Sequence, residues 1–160
     1  EQSIIKNKLD LKNKKVLIFG AGGVVPSIIC GLINLNAGKI FITNRTLENA
    51  KKIKQIFNFI EIIEWGKIEN CDLYINSTSI GLKAGERFEL NFQSLEGEKT
   101  FYDVIYNPSK TSFLQQAEKL NYKIINGRDM FIFQAQEAFK IWHNIRPKID
   151  HKLIEYLYND

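Results

Sequence analysis

The chain has 160 residues, 44% apolar and 25% charged, with a net charge of +4, which is one domain's worth of ordinary globular composition. No apolar run approaches the roughly 20 residues of a membrane span, and Glu1–Lys6 lacks the charge order of a secretory signal, so a cytoplasmic protein is expected. Lysines cluster only at Lys12, Lys14 and Lys15 and at Lys51, Lys52 and Lys54, with no arginine-rich tract, which argues against nucleic acid as a partner.

Ile4, Ile5 and Leu9 stand at helical spacing without an N-cap before them. Residues 1–12 read as the remnant of an interdomain helix, its apolar side chains expected to be exposed toward a domain that is absent. The stretch Lys15–Pro26 organises the rest of the chain. Val16–Phe19 is apolar without alternation, as in a strand buried on both faces of a parallel sheet. It runs into Gly20-Ala21-Gly22-Gly23, where Gly20 suits a tight turn and Gly22 and Gly23 let backbone approach a phosphate with no Cβ in the way. Pro26 then opens a helix whose free N–H groups and positive dipole end face an anion. The pattern points to a pyrophosphate, although Val25 stands where G-x-G-x-x-G has its third glycine.

Ile28, Ile29, Leu32, Ile33 and Leu35 mark that first helix, with Ala37-Gly38 as its left-handed cap. Lys39–Thr43 is a second strand. Cofactor-binding α/β units place Asp or Glu at its end to hold the ribose 2′-OH of NAD; here Asn44-Arg45-Thr46 follows, and an arginine forks onto a 2′-phosphate instead. NADP(H) is therefore expected. Thr46 also suits the N-cap of a helix through Ala50, Ile53, Ile56 and Phe57. Phe59–Glu64 reads as a third strand and Leu73–Asn76 as a fourth, ending in Ser77-Thr78-Ser79-Ile80-Gly81, where open α/β sheets bind ligands. The stretch Leu82–Gly97 is polar and irregular. Thr100–Ile105 is a fifth strand, followed by Tyr106-Asn107-Pro108 and a helix capped by Thr111 or Ser112. Tyr122–Asn126 is a sixth strand. After Gly127 comes a long helix carrying Met130, Phe131, Gln134 and Trp142, and Asp150 caps a last one over Lys152–Tyr158 with Leu153, Ile154 and Leu157 on one side. Cys30 and Cys71 lack metal or redox spacing and read as buried small side chains, and His143 and His151 as surface residues. The alternation implies an α/β, Rossmann-like doubly wound parallel sheet of order 3-2-1-4-5-6 in a single domain, 1–160.

With these pieces placed, the chain resembles the cofactor-binding domain of the shikimate dehydrogenase family, which interconverts 3-dehydroshikimate and shikimate with NADPH. The resemblance rests on V-L-I-F-G-A-G-G, N-R-T, N-S-T-S-I-G-L, D-V-I-Y-N-P-S-K-T and N-G-R-D-M-F-I-F-Q, in unbroken order from about Leu11 to Trp142. It implies that Gly20, Gly22, Gly23 and Val24 hold the pyrophosphate and that Asn44, Arg45 and Thr46 hold the 2′-phosphate. It implies further that Thr78 and Ser79 lie along the cofactor, that Val104, Gly127 and Met130 lie near the nicotinamide, and that Tyr106 and Gln134 touch the substrate. The second basic residue of the family's phosphate clamp is Asn49 here, which leaves Lys51 or Lys52 to assist Arg45. Ser77 stands where alanine is common, and Val24 where a smaller residue is usual. The family's catalytic Lys–Asp pair belongs to a preceding substrate domain, so no catalytic residue is expected in this chain. The uncovered apolar surface then offers a contact for a homodimer. The alternatives are a quinate/shikimate dehydrogenase, the NADP domain of glutamyl-tRNA reductase, disfavoured by the Asp103–Thr111 segment and Gln134, and a non-catalytic NADP-binding module.

Overall fold

The computed structural model describes residues 1–83 and 85–158, with side chains described through residue 156. The elements are α1 (Gln2–Lys6), β1 (Lys15–Phe19), α2 (Val25–Asn34), β2 (Lys39–Thr43), α3 (Leu47–Ile56), β3 (Glu61–Ile62), β4 (Leu73–Asn76), β5 (Thr100–Asp103), α4 (Ser112–Lys119), β6 (Lys123–Ile125), α5 (Arg128–His143) and α6 (His151–Tyr158). The strands form one parallel sheet in the order β3-β2-β1-β4-β5-β6, as the sequence predicts. No helix among the described residues is long and apolar enough to cross a membrane.

Strand pleating divides the core. On one face Val16, Ile18, Ile42 and Ile75 meet the stripe Val25, Ile29 and Leu32 of α2. On the other, Leu17, Phe19, Tyr74 and Phe101 meet Phe113, Leu114 and Ala117 of α4. The two-residue period of a strand produces this split, because successive side chains point to opposite faces. The second face is rich in aromatic rings, with Phe19 in edge contact with Phe88, Phe92 and Phe113 at 5.1, 6.2 and 5.9 Å between ring centroids.

Several local expectations are corrected. Ile4 is buried in the core and Leu9 is half-buried, so only Ile5 of that trio is exposed. The reason is that α1 folds back onto its own domain: Tyr102 donates its hydroxyl to Ser3 Oγ at 2.8 Å, and Lys6 Nζ lies 2.6 Å from Asp129 Oδ1 of α5. Cys30 is exposed while Cys71 is buried; Cys30 follows the buried Ile29 by one residue, about 100° around the helix and off the apolar stripe. The left-handed residue after α2 is Asn36 (φ 56°) and not Gly38, since asparagine tolerates that region. The third strand shrinks to Glu61–Ile62 because it is an edge whose ladder reaches only Phe41 and Ile42. The polar stretch 82–97 has no regular element where described, yet it plants Phe88 and Phe92 in the aromatic core, each 1% exposed. The sequence correctly places Asp150, whose Oδ1 accepts from Leu153 N at 2.8 Å, ahead of α6. The expected role of Leu157 lies outside the described side chains.

Candidate functional site

The carboxyl ends of β1, β4 and β5 and the amino ends of α2 and α5 converge on two clefts. The first, 620 Å³, is lined by Gly23 and Val24 of the glycine turn, Val104 after β5, and Met130 and Gln134 of α5, with α1 at its far end. The second, 540 Å³, is lined by Ser77, Thr78 and Ser79 after β4 and by Val104, Tyr106 and Asn107 after β5. Val104 belongs to both and is the wall between them. The structure thus brings together Gly23, Val24, Val104, Met130 and Gln134 on one side and Thr78, Ser79, Val104 and Tyr106 on the other.

The glycine turn follows from close contacts beneath it. Gly20 has φ +106°, and a Cβ there would stand 2.8 Å from Ser77 Oγ. Ser77 is at that distance because its hydroxyl donates to Phe19 O at 2.7 Å, tying β4 to the end of β1. Above the turn the opposite holds: a Cβ built on Gly22 or Gly23 meets nothing within 4 Å. That open space sits at the amino end of α2, where the free N–H groups and dipole favour an anion. Val24 is the N-cap with ordinary helical φ and ψ (−79° and −22°), so its larger side chain puts no strain on the turn.

At the end of β2, Arg45 and Thr46 are exposed, and Asn44 donates its amide to Thr46 O at 2.8 Å, which closes the loop. Thr46 occupies the N-cap position of α3 but its hydroxyl makes no capping bond, so the expected cap holds in place and not in chemistry. The adjoining Lys51 is paired with Glu48 at 2.8 Å.

Tyr106 stacks on Phe131 of α5, with centroids 4.5 Å apart and planes at 24°. Gly127 is required by a close approach: a Cβ there would lie 2.0 Å from Val104 O. The loop after Thr78 is closed by Glu86, whose Oε2 accepts from Gly81 N at 3.0 Å and Lys83 N at 3.2 Å; those two bonds hold its carboxyl below the ordinary range.

Sequence reasoning missed a buried polar network under the second cleft, formed by Asn76, Asp103 and Thr111, each at most 2% exposed. Burial pushes the Asp103 carboxyl above the ordinary range, against hydrogen bonds from Thr111, the Ile105 amide and Asn76 that pull the other way. The available signal was a carboxylate ending an apolar strand beside an Asn-Ser-Thr turn on the neighbouring one.

A family model described as Shikimate / quinate 5-dehydrogenase matches residues 3–86. The shikimate dehydrogenase (NADP(+)) of Pelagibacter ubique is 48% identical over 155 residues, covering 97% of this chain and 58% of that protein. The crystal structure of shikimate dehydrogenase from Aquifex aeolicus superposes with a TM-score of 0.85 at 30% identity, over 99% of this chain and 58% of that one. A shikimate dehydrogenase solved in complex with NADP+ gives 0.81 at 30% identity, over 99% and 57%. The chain therefore spans just under three-fifths of the length of the relatives it matches. On these matches, and on the parallel sheet with its glycine turn, the chain belongs to the shikimate/quinate 5-dehydrogenase family.

Proposed function

We propose that residues 1–160 form the NADP-binding domain of a cytoplasmic shikimate dehydrogenase, with residues 1–12 leading from a preceding substrate domain. The observation that carries this is the pairing of an open backbone cradle with a cationic strand end. Nothing within 4 Å crowds a Cβ built on Gly22 or Gly23, and β2 ends in Asn44-Arg45-Thr46 with no carboxylate to hold a 2′-OH. The donor set fits NADP(H), with Gly22, Gly23 and Val24 at the pyrophosphate, Gly20 shaping the turn beneath them with its N–H donated to Thr43 O at 2.8 Å, and Asn44, Arg45 and Thr46 at the 2′-phosphate. Lys51, paired with Glu48 only at the exposed surface, and Lys52 are the cations of that helix that can assist Arg45. NADPH, when bound, supplies the hydride that reduces 3-dehydroshikimate to shikimate. Thr78 and Ser79 align the cofactor, Val104, Gly127 and Met130 form the seat of the nicotinamide, and Tyr106 and Gln134 hold the substrate at the two clefts. Among the described residues no lysine lines either cleft; the Lys–Asp pair that the family resemblance places in the substrate domain is the proton source in this reading. Ile141 and Trp142, 79% and 76% exposed on α5, face that domain in the joined protein. Alone, this chain is a cofactor-binding module, and the same uncovered surface is where two copies would associate.

The experiment is a fluorescence titration of NADPH and NADH against the chain and its Arg45→Ala variant. A charge-assisted hydrogen bond contributes about 1.5–3 kcal/mol, so the variant loses roughly 10- to 100-fold in NADPH affinity while NADH binding hardly moves. Equal losses for the two cofactors refute the assignment of Arg45 to the 2′-phosphate.

A further inference from the structure

Asp103 ends β5 with no solvent exposure and accepts from three directions at once. Its Oδ1 takes Ile105 N at 2.9 Å and Asn76 Nδ2 at 3.1 Å; its Oδ2 takes Asn76 Nδ2 at 3.0 Å and the Thr111 hydroxyl at 2.5 Å. The Asn76 amide nitrogen donates to that carboxylate and also to Ile80 O at 3.3 Å, so the Asn76 carbonyl oxygen points the other way. There it accepts from Thr78 N at 3.0 Å and from Thr78 Oγ1 at 2.7 Å. The Thr78 oxygen then accepts from Ile80 N at 3.1 Å. The buried carboxylate and the Ile80 carbonyl together set the direction of the bonds out to the rim of the second cleft, and through Ile105 N the carboxylate also fixes the backbone between Val104 and Tyr106.

We propose that Asp103 is a positioning residue: it orients the Thr78 hydroxyl through Asn76 and holds the Val104–Tyr106 backbone through the Ile105 amide, a task that requires a side chain with acceptors only. The reading of the second cleft as part of the cofactor and substrate site underlies its functional importance, while the bracing itself stands on the bonds above. Asparagine at 103 has the same shape but turns an NH₂ against at least one of the converging donors, and it leaves the Asn76 amide nitrogen with the Ile80 carbonyl as its remaining acceptor. A side chain retained only to fill volume shows neither effect.

Two measurements on the intact chain separate these cases: amide hydrogen exchange at Thr78 and Ile80, whose N–H groups end the network, and NADPH affinity by fluorescence. For Asp103→Asn we expect exchange at those two amides at least about tenfold faster, amides of β2 unchanged, and NADPH binding about tenfold weaker. The exchanged pair, Asp103→Asn with Asn76→Asp, puts the carboxylate where it accepts from Thr78 directly and from the new amide, and should recover part of both losses, the rest being the repulsion between that carboxylate and Ile80 O. Should Asp103→Asn not fold, Thr111→Val removes one donor and leaves the carboxylate, and the same local pattern is expected at smaller size. Wild-type exchange at Thr78 and Ile80 in Asp103→Asn, a uniform rise at every amide, or no recovery in the exchanged pair overturns the proposal. Failure of the wild-type chain to bind NADPH strikes the reading of the cleft instead, and leaves the exchange data to decide the bracing.

Discussion

Gly127→Ala sets two opposing effects against each other, and the structure gives the sign. Gly127 is the N-cap of α5 with φ −75° and ψ −1°, a conformation that alanine adopts without strain. On backbone grounds alone the substitution should stabilise by about 0.4–1 kcal/mol, because it restricts the unfolded chain. The space is not there. A Cβ at 127 lies 2.0 Å from Val104 O, 2.5 Å from Val104 C and 3.1 Å from Ile105 C, so the first contact is more than about 1 Å inside van der Waals touching distance. All three atoms are backbone, and that backbone is fixed: Val104 N donates to Asn76 O at 3.0 Å and Gly127 N donates to Ile105 O at 3.0 Å. Relief means pushing the end of β5 away from α5 and stretching those bonds. Overpacking costs about 1–3 kcal/mol and backbone contacts of this depth belong at the upper end, so the net is a destabilisation of about 2 kcal/mol. For a chain of this length that lowers the melting temperature by roughly 4–8 °C. Val104 walls both clefts, so cofactor affinity should fall with it. Thermal and urea unfolding with a parallel NADPH titration read both effects. A variant as stable as the parent refutes the reasoning, since it means the β5 end yields freely and Gly127 does not set the wall.

Two further outcomes bear on the scaffold. Phe92→Ala removes a ring 1% exposed that lies 4.9 Å from Phe101 and 5.9 Å from Phe113, and should cost about 3–5 kcal/mol in urea unfolding; a loss below about 1 kcal/mol means that the irregular segment carrying it detaches from the core. Asp72 is nudged up by burial, but the Lys15 N–H at 2.8 Å and Lys14 at 3.4 Å outweigh that and hold its carboxyl below the ordinary range. Its contribution is therefore present above the unfolded pKa of about 3.9 and lost as pH falls through the lower folded value. Asp72→Asn should flatten the acid limb of stability below about pH 4, and an unchanged slope in acid titration monitored by circular dichroism counts against the pairing.

What the sequence made legible is what local pattern encodes. An unbroken apolar run ending in glycines declared β1, and the Leu73–Asn76 run declared β4 to the residue. Arg45 stands out in the sequence because a strand end normally acidic is basic, and its proposed role rests on that pattern and on its exposure. The residues that escaped are defined by what lies across from them. Phe88 and Phe92 sit among Glu86, Arg87, Glu89 and Asn91, and a lone aromatic in a polar stretch has no period to betray that the sheet's aromatic face receives it. Ile4 looked uncovered because the fold-back of α1, fixed by Ser3 to Tyr102 and Lys6 to Asp129, joins residues about a hundred or more apart. Asp103 stands within a motif, but its buried network depends on Asn76, which the parallel β4–β5 pairing brings to it, and on Thr111 at the start of α4.

These constraints meet at residue 104. The peptide before it is held by the bond from Val104 N to Asn76 O, and the peptide after it by the bond from Ile105 N to Asp103 Oδ1. Its carbonyl is backed by Gly127, while its side chain is half-buried between the clefts. Hydride transfer tolerates little displacement of the acceptor carbon, so on the proposal that Val104 lies beside the nicotinamide the wall gains from being fixed at both of its peptides. The stiffness originates on the far face of the sheet: Phe101 precedes this segment in β5 and is locked between Tyr74 and Tyr122 at 4.8 and 5.6 Å. The near face is furnished differently, with Phe131, Phe139, Ile141 and Trp142 of α5 all at least 40% exposed. Rigidity behind the site and unspent apolar surface in front of it are what a domain needs if it is to present a cofactor in fixed geometry while another domain brings the substrate to it.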